Sequence, residues 1–197
     1  MKVCLTEEWR LRKGNFMTAF ADLLTIDGNI LLWIQEYFRQ DFMTPFWKFI
    51  TFLGDSGWFW ITLSVLLLLS KQTRRTGVTA LLALGLGALI TNVALKNMVA
   101  RIRPYEVIEG LVLLVKEQSD FSFPSGHSCA SFAAAVVYYK MLPKKYGISA
   151  VILAALIAFS RLYVGVHYPS DVIAGSVIGI LAALLAYVLV EKAENRK

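Results

Sequence analysis

Apolar residues along the chain gather in blocks, and short polar breaks rich in Lys and Arg separate them. Residues 18–38 read as a first helix, interrupted by Asp22 and Asp27. Residues 42–53 are apolar and aromatic but short, which suits an interfacial or half-inserted helix. Further blocks follow at 56–70, 77–96, 125–141, 148–164 and 171–190. A helical crossing of a bilayer takes about 20 apolar residues. The pattern therefore predicts an all-α polytopic membrane protein, a bundle of six transmembrane helices. Most polar residues in the middle of the chain fall in one loop, 97–124. The expected organisation is a basic tail over 1–17, one membrane domain over 18–191 and a short tail over 192–197. The N-terminus is basic and then apolar, as in a signal peptide. Asp22, Asp27 and the lack of a clean cleavage pattern favour a retained first helix instead.

Composition supports this reading. Of 197 residues, 57% are hydrophobic and 17% charged, and the mean hydropathy is +0.58. Disorder needs the opposite balance. Cys4 and Cys129 lie far apart in unlike settings and read as free thiols, so a disulfide scaffold is excluded. The net charge of +6 is no nucleic-acid stripe, because most basic residues cap apolar blocks. Residues 71–75, 140–145 and the C-terminal tail are separated by pairs of crossings and share one side. Their Lys and Arg content makes that side cytoplasmic, with both termini on it. The loops 97–124 and 165–170 then share the outer face. Trp33, Trp47, Trp58 and Trp60 read as interface anchors. Gly175 and Gly179 form a GxxxG, read as a close helix contact.

The outer loops hold charges that a passive membrane helix would avoid. Lys96, Arg101 and Arg103 close the third helix, Ser125-Gly126-His127 opens the fourth, and Arg161, His167 and Asp171 lie between the fifth and sixth. Both histidines of the chain are in this set. Three cations of this set converging on one pocket would make a site for a multiply charged anion. Ser125 and Gly126 would add a hydroxyl and backbone N–H groups at a helix N-terminus. One imidazole can attack phosphorus and the other can move the proton of the leaving oxygen. Asp171 lies four residues after His167 and can orient it. His167 is therefore the expected nucleophile and His127 the expected acid/base. Glu106, Glu109, Glu117 and Asp120 lack the spacing of a magnesium site, and no metal or other cofactor is expected. Arg101 reads as an interfacial anchor outside the constellation.

Lys96-x6-Arg103-Pro104, Pro124-Ser125-Gly126-His127 and Ser160-Arg161-x5-His167-x3-Asp171 together resemble the three-part signature of the type 2 phosphatidic acid phosphatase superfamily of membrane lipid phosphatases. The motifs occupy 96–104, 124–127 and 160–171, in order and with spacing intact. The resemblance implies six transmembrane helices and metal-independent phosphate-ester hydrolysis. It gives His167, Asp171 and His127 the roles above, and phosphate binding to Lys96, Arg103, Ser125, Gly126 and Arg161. Small size and compact loops are similar to bacterial phosphatidylglycerophosphatase B-type enzymes of the cell membrane. The expected substrate is phosphatidylglycerophosphate, or phosphatidic acid, with undecaprenyl pyrophosphate as the alternative. The partners expected are a phospholipid or isoprenoid phosphate and the membrane, with no nucleic acid and no obligate protein partner. A reading of another class is a lipid-phosphate binder or transporter without hydrolysis.

Overall fold

The computed structural model describes residues 15–196, and side chains from residue 22 onward. The tail residues Lys2, Cys4, Arg10, Arg12 and Lys13 lie outside the described residues. The described chain is helical, with no strand. Helix α1 (Asn15–Trp33) runs into a wider π turn, Ile34–Phe38. Helices α2 (Thr44–Leu53) and α3 (Trp58–Leu68) meet at a break. Helix α4 (Arg74–Ala88) continues through a π-helical stretch, Leu89–Leu95, into a last turn, Lys96–Val99. The short α5 (Pro104–Val107) interrupts the long loop. Helices α6 (Gly126–Met141), α7 (Lys144–Tyr163) and α8 (Pro169–Glu194) complete the chain. The last helix extends past the expected end, so the expected tail is helical as far as Glu194.

Helix α6 is the centre of the bundle, packed against α4, α7 and α8. Its buried face is mostly small: Ser131, Ala133, Ala134, Ala135 and Val137. Small residues let backbones approach, which is how helices gain packing energy where lipid replaces water. The GxxxG of α8 serves this contact. A Cβ on Gly175 would sit 2.3 Å from the Ser125 carbonyl oxygen, and one on Gly179 would sit 2.3 Å from that of Cys129. Several polar groups inside the bundle are paired. Trp60 Nε1 donates to Ser131 Oγ at 3.0 Å, and Ser64 and Tyr138 hydroxyls meet at 2.7 Å. Leu66, Leu69, Val93, Ile152, Ile173 and Leu181 face outward. This distribution suits lipid rather than water outside. Two tryptophans depart from the anchor reading. Trp60 is fully buried in the core, and Trp47 is buried in a stack on Tyr163 at 5.3 Å. Trp33 and Trp58 are exposed.

Among the described residues, three helical runs are long and apolar enough to cross a membrane: Arg74–Val107, Lys144–Tyr163 and Pro169–Glu194. The pair Thr44–Leu53 and Asp55–Leu68, bent by 44°, adds a fourth if it is one span. The long loop is pinned from the α1–α2 junction. Gln35 bonds both Gly110 O and Val112 N at 2.8 Å, and Arg39 Nη1 donates to Val112 O at 2.6 Å.

Candidate active site

Helix ends build the site. The carboxyl ends of α4 and α7 and the amino ends of α6 and α8 lie at one end of the bundle. Ala100, in left-handed backbone at φ 47°, stops α4 four residues after Lys96. The chain then runs extended to Arg103, and Pro104 opens α5. At the α2–α3 break, Ser56 (φ 51°) and Gly57 (φ 68°) turn the chain so that Asp55 faces inward. Left-handed backbone at a non-glycine residue is strained and tends to mark functional sites.

These ends enclose a cavity of ≈ 650 Å³. Lys96, Arg103, Gly126, His127, Arg161 and His167 all line it. Both imidazoles and all three cations named by the sequence thus face one space. Ser125 and Asp171 are buried one layer behind. Ser125 caps α6, its Oγ accepting from Ser128 N at 3.4 Å, and its own N–H donates to Asp171 O at 3.0 Å. Ser125 is absent from the cavity wall, which that helix start reaches through Gly126 and His127.

His167 precedes α8 rather than belonging to it. Asp171 is the third residue of that helix and folds back over its start, with Tyr168 N–H donating to Oδ2 at 3.0 Å. The approach of imidazole and carboxylate comes from this cap, not from helical repeat. Nδ1 of His167 lies 3.5 Å from Asp171 Oδ2 and 3.4 Å from Ser122 Oγ, while Ser122 Oγ donates to the same Oδ2 at 2.5 Å. A proton on Nδ1 would face both oxygens and leave Nε2 with its lone pair. Burial disfavours the imidazolium strongly and Arg161 and Arg103 add to the effect. Against the pull of Asp171, the His167 pKa is pushed down to about 3. The ring is neutral at physiological pH.

His127 has a carboxylate that its sequence neighbours do not supply. Its Nε2 meets Asp55 Oδ1 at 2.8 Å. A carboxylate only accepts, so this bond needs the proton on Nε2. Gly54 leaves room for the ring: a Cβ there would sit 2.6 Å from His127 Cδ2. The cations are also occupied. Asp120 bridges Lys96 Nζ and Arg103 Nη2, the latter at 2.5 Å. Arg103 further donates to Asp120 O at 2.8 Å and Val166 O at 2.9 Å. Partial burial would raise the Asp120 carboxyl, but Lys96 and Arg103 outweigh it and hold it at about 2. Arg161 Nη1 donates to Thr51 Oγ1 at 2.5 Å, and its buried Nε has no partner among the described residues.

Arg101 corrects an expectation. It is no anchor at a lipid interface, because its side chain is 10% exposed and lies between two carboxylates. Nη1 donates to Asp171 Oδ1 at 2.6 Å and Nη2 to Asp27 Oδ2 at 2.7 Å. Asp27, Asp55, Asp120 and Ser122 are contacts that the spacing of residues did not reveal. The one available signal was charge inside an apolar helix, which Asp27 carries. Among the described residues, no group of three His, Cys, Asp or Glu side chains is disposed to hold a metal ion. Cys129 is buried and has no disulfide partner among the described residues.

The sequence model of one family, described as PAP2 superfamily, matches residues 76–195. The undecaprenyl-diphosphatase of Sulfolobus acidocaldarius is 35% identical over 70% of this chain and 67% of its own. The lipid A 4'-phosphatase of Bacteroides thetaiotaomicron is 30% identical over 88% of this chain and 81% of its own. Phosphatidylglycerophosphatase B of Bacillus subtilis is 34% identical over 75% of each. A crystal structure of a transmembrane PAP2-type phosphatidylglycerolphosphate phosphatase from Bacillus subtilis superposes with TM-score 0.71 at 31% identity, covering 87% of each chain.

Proposed function

The chain belongs to the PAP2 superfamily and is a membrane lipid phosphatase, and on that premise we propose a substrate, a mechanism and a topology. The substrate is phosphatidylglycerophosphate, with phosphatidic acid as a second monoester. The observation that carries the mechanism is the shared cavity: two imidazoles and three cations line one space. His167 Nε2 attacks phosphorus and the bond to the lipid oxygen breaks. His127, acting as the imidazolium, delivers a proton to that oxygen and becomes neutral, releasing the lipid alcohol. Water then gives a proton to His127 and its hydroxyl to phosphorus, and the P–N bond breaks to free inorganic phosphate. Asp171 orients His167, and Lys96, Arg103, Arg161 and the α6 start at Gly126 hold the phosphoryl oxygens. Ser125 supports that helix start from behind. The cations already balance the developing charge, so the reaction is metal-independent.

The topology has six crossings in one membrane unit over 18–191, with cytoplasmic termini and the site at the outer face. Helix direction supports it. The cavity gathers at one end of the bundle, whereas Arg74, Arg75, Lys140, Lys144 and Lys192 lie at helix ends of the opposite sense. Arg75 also pairs with Glu194 at 3.0 Å, joining the start of α4 to the end of α8.

Undecaprenyl pyrophosphate is the second reading. Lys116, a cation outside the three motifs, also lines the cavity and suits a second phosphate. Phosphate release in detergent from phosphatidylglycerophosphate, phosphatidic acid and undecaprenyl pyrophosphate ranks the three, and the monoester should lead. A chelator should leave the rate unchanged; loss of activity in chelator contradicts the metal-free steps. Folded His167→Ala should release no phosphate, and normal turnover by it removes the nucleophile.

A further inference from the structure

The steps above use Asp171 but not the groups that hold it. A carboxylate turns easily about its last bond, so an orienting aspartate needs its far oxygen fixed. Arg101 takes that oxygen: Nη1 reaches Asp171 Oδ1 at 2.6 Å and Ser170 Oγ at 2.7 Å. The guanidinium stacks on Tyr168 at 3.8 Å from the ring centre. Its other arm reaches Asp27 Oδ2 at 2.7 Å. Asp27, 2% exposed on α1, also accepts from Ser170 N–H at 3.1 Å and from the Ser170 hydroxyl. Arg101 does not line the cavity.

We propose that Arg101, braced by Asp27 of the first helix, is the positioning residue that holds Asp171 toward His167. The inference rests on His167 as nucleophile. Two carboxylates against one guanidinium leave one net negative charge. That charge meets the Nδ1–H of His167 as attack on phosphorus makes the ring cationic. Breaking a buried ion group leaves an uncompensated charge, so each member matters. Helix α1 lies outside the family match at 76–195, yet it supplies the outer end of this chain of contacts.

The test uses the full chain in detergent with phosphatidic acid, reading kcat, KM and inhibition by inorganic phosphate. Arg101→Gln should lower kcat by about 30- to 100-fold, with KM and phosphate inhibition within about twofold. Asp27→Asn should lower kcat by about three- to tenfold. In an Asp171→Asn background, Arg101→Gln should cost less than about threefold more, because both act through one carboxylate. Three results overturn the proposal: kcat unchanged, a rise in KM and phosphate inhibition constant with kcat unchanged, or losses that multiply with Asp171→Asn. The second would make Arg101 a phosphate ligand. If Arg101→Gln does not fold, Arg101→Lys and Asp27→Asn decide by the same split, since a lysine cannot span both carboxylates. Turnover by His167→Ala sinks the nucleophile assignment itself. A dead His167→Ala beside a fully active Arg101→Gln sinks only this inference.

Discussion

Four carboxylates lie at or behind the cavity, and they fall into two kinds. On the closed side, Asp171 and Asp27 are 0% and 3% exposed in their side chains and meet Arg101. On the open side, Asp55 and Asp120 are 54% and 50% exposed and meet His127, Lys96 and Arg103. The difference follows from solvent. A buried ion pair is costly to break because the surviving charge cannot be hydrated, whereas an exposed pair is worth little. Closed-side carboxylates can therefore hold geometry, and open-side ones can be displaced. Each kind suits its imidazole. The proposed nucleophile, His167, must stay neutral and fixed, and burial favours both. The proposed acid/base, His127, must exchange protons with water, and its partner Asp55 is exposed.

Substitutions can break this contrast. The largest loss is expected at the proposed nucleophile and its partner. His167→Ala should lose more than about 10³-fold in kcat and Asp171→Asn about 10³-fold, measured as phosphate release by folded protein. Comparable activity in Asp171→Asn would show that closed-side burial alone positions the ring. Gly175→Ala tests the packing behind it. Its methyl would press on the Ser125 carbonyl, pushing α8 from α6, at a cost of about 1–3 kcal/mol in stability and about tenfold in kcat. A crystal structure with α6 and α8 unmoved would count against that account.

Open-side changes should be milder. Asp55→Asn should slow alkyl phosphates by about three- to tenfold and aryl phosphates less, because a good leaving group needs less proton transfer. Equal loss on both classes would detach Asp55 from the acid step. Asp120→Asn should go the other way for affinity. Its carboxylate sits on the cations that a phosphate needs, so inorganic phosphate should inhibit about threefold more tightly without it. Weaker inhibition would mean that Asp120 organises the cations rather than competing for them.

Stability also depends on pH. The pKa of His167 is lower in the folded state, about 3, than its ordinary 6.5. Between these values the unfolded chain binds the extra proton, so stability falls as pH drops from 6.5 toward 3. Asp120, held at about 2 against 3.8, adds a loss only below about pH 4. His167→Gln should flatten the thermal-stability profile between pH 4 and 6.5, and an unchanged slope would place the titration elsewhere.

Local pattern determined the helices and the motif residues. Apolar blocks of bilayer length become helices because backbone groups in lipid must bond within the segment, and blocks 77–96, 148–164 and 171–190 match α4 with its continuation to Val99, α7 and α8 within a few residues. The motif residues were legible because each motif carries its own chemistry over a short stretch. What closes the site was not. Asp55 reaches His127 over 72 positions and Asp27 reaches Ser170 over 143. Arg101, alone in sequence among basic neighbours, looked like an anchor until two carboxylates met it. Such pairs exist only when whole helices pack, at distances set by Gly175 and Gly179 against the α6 backbone. Spacing along a chain reports which side chains share a helix face; which faces meet is decided by packing between helices.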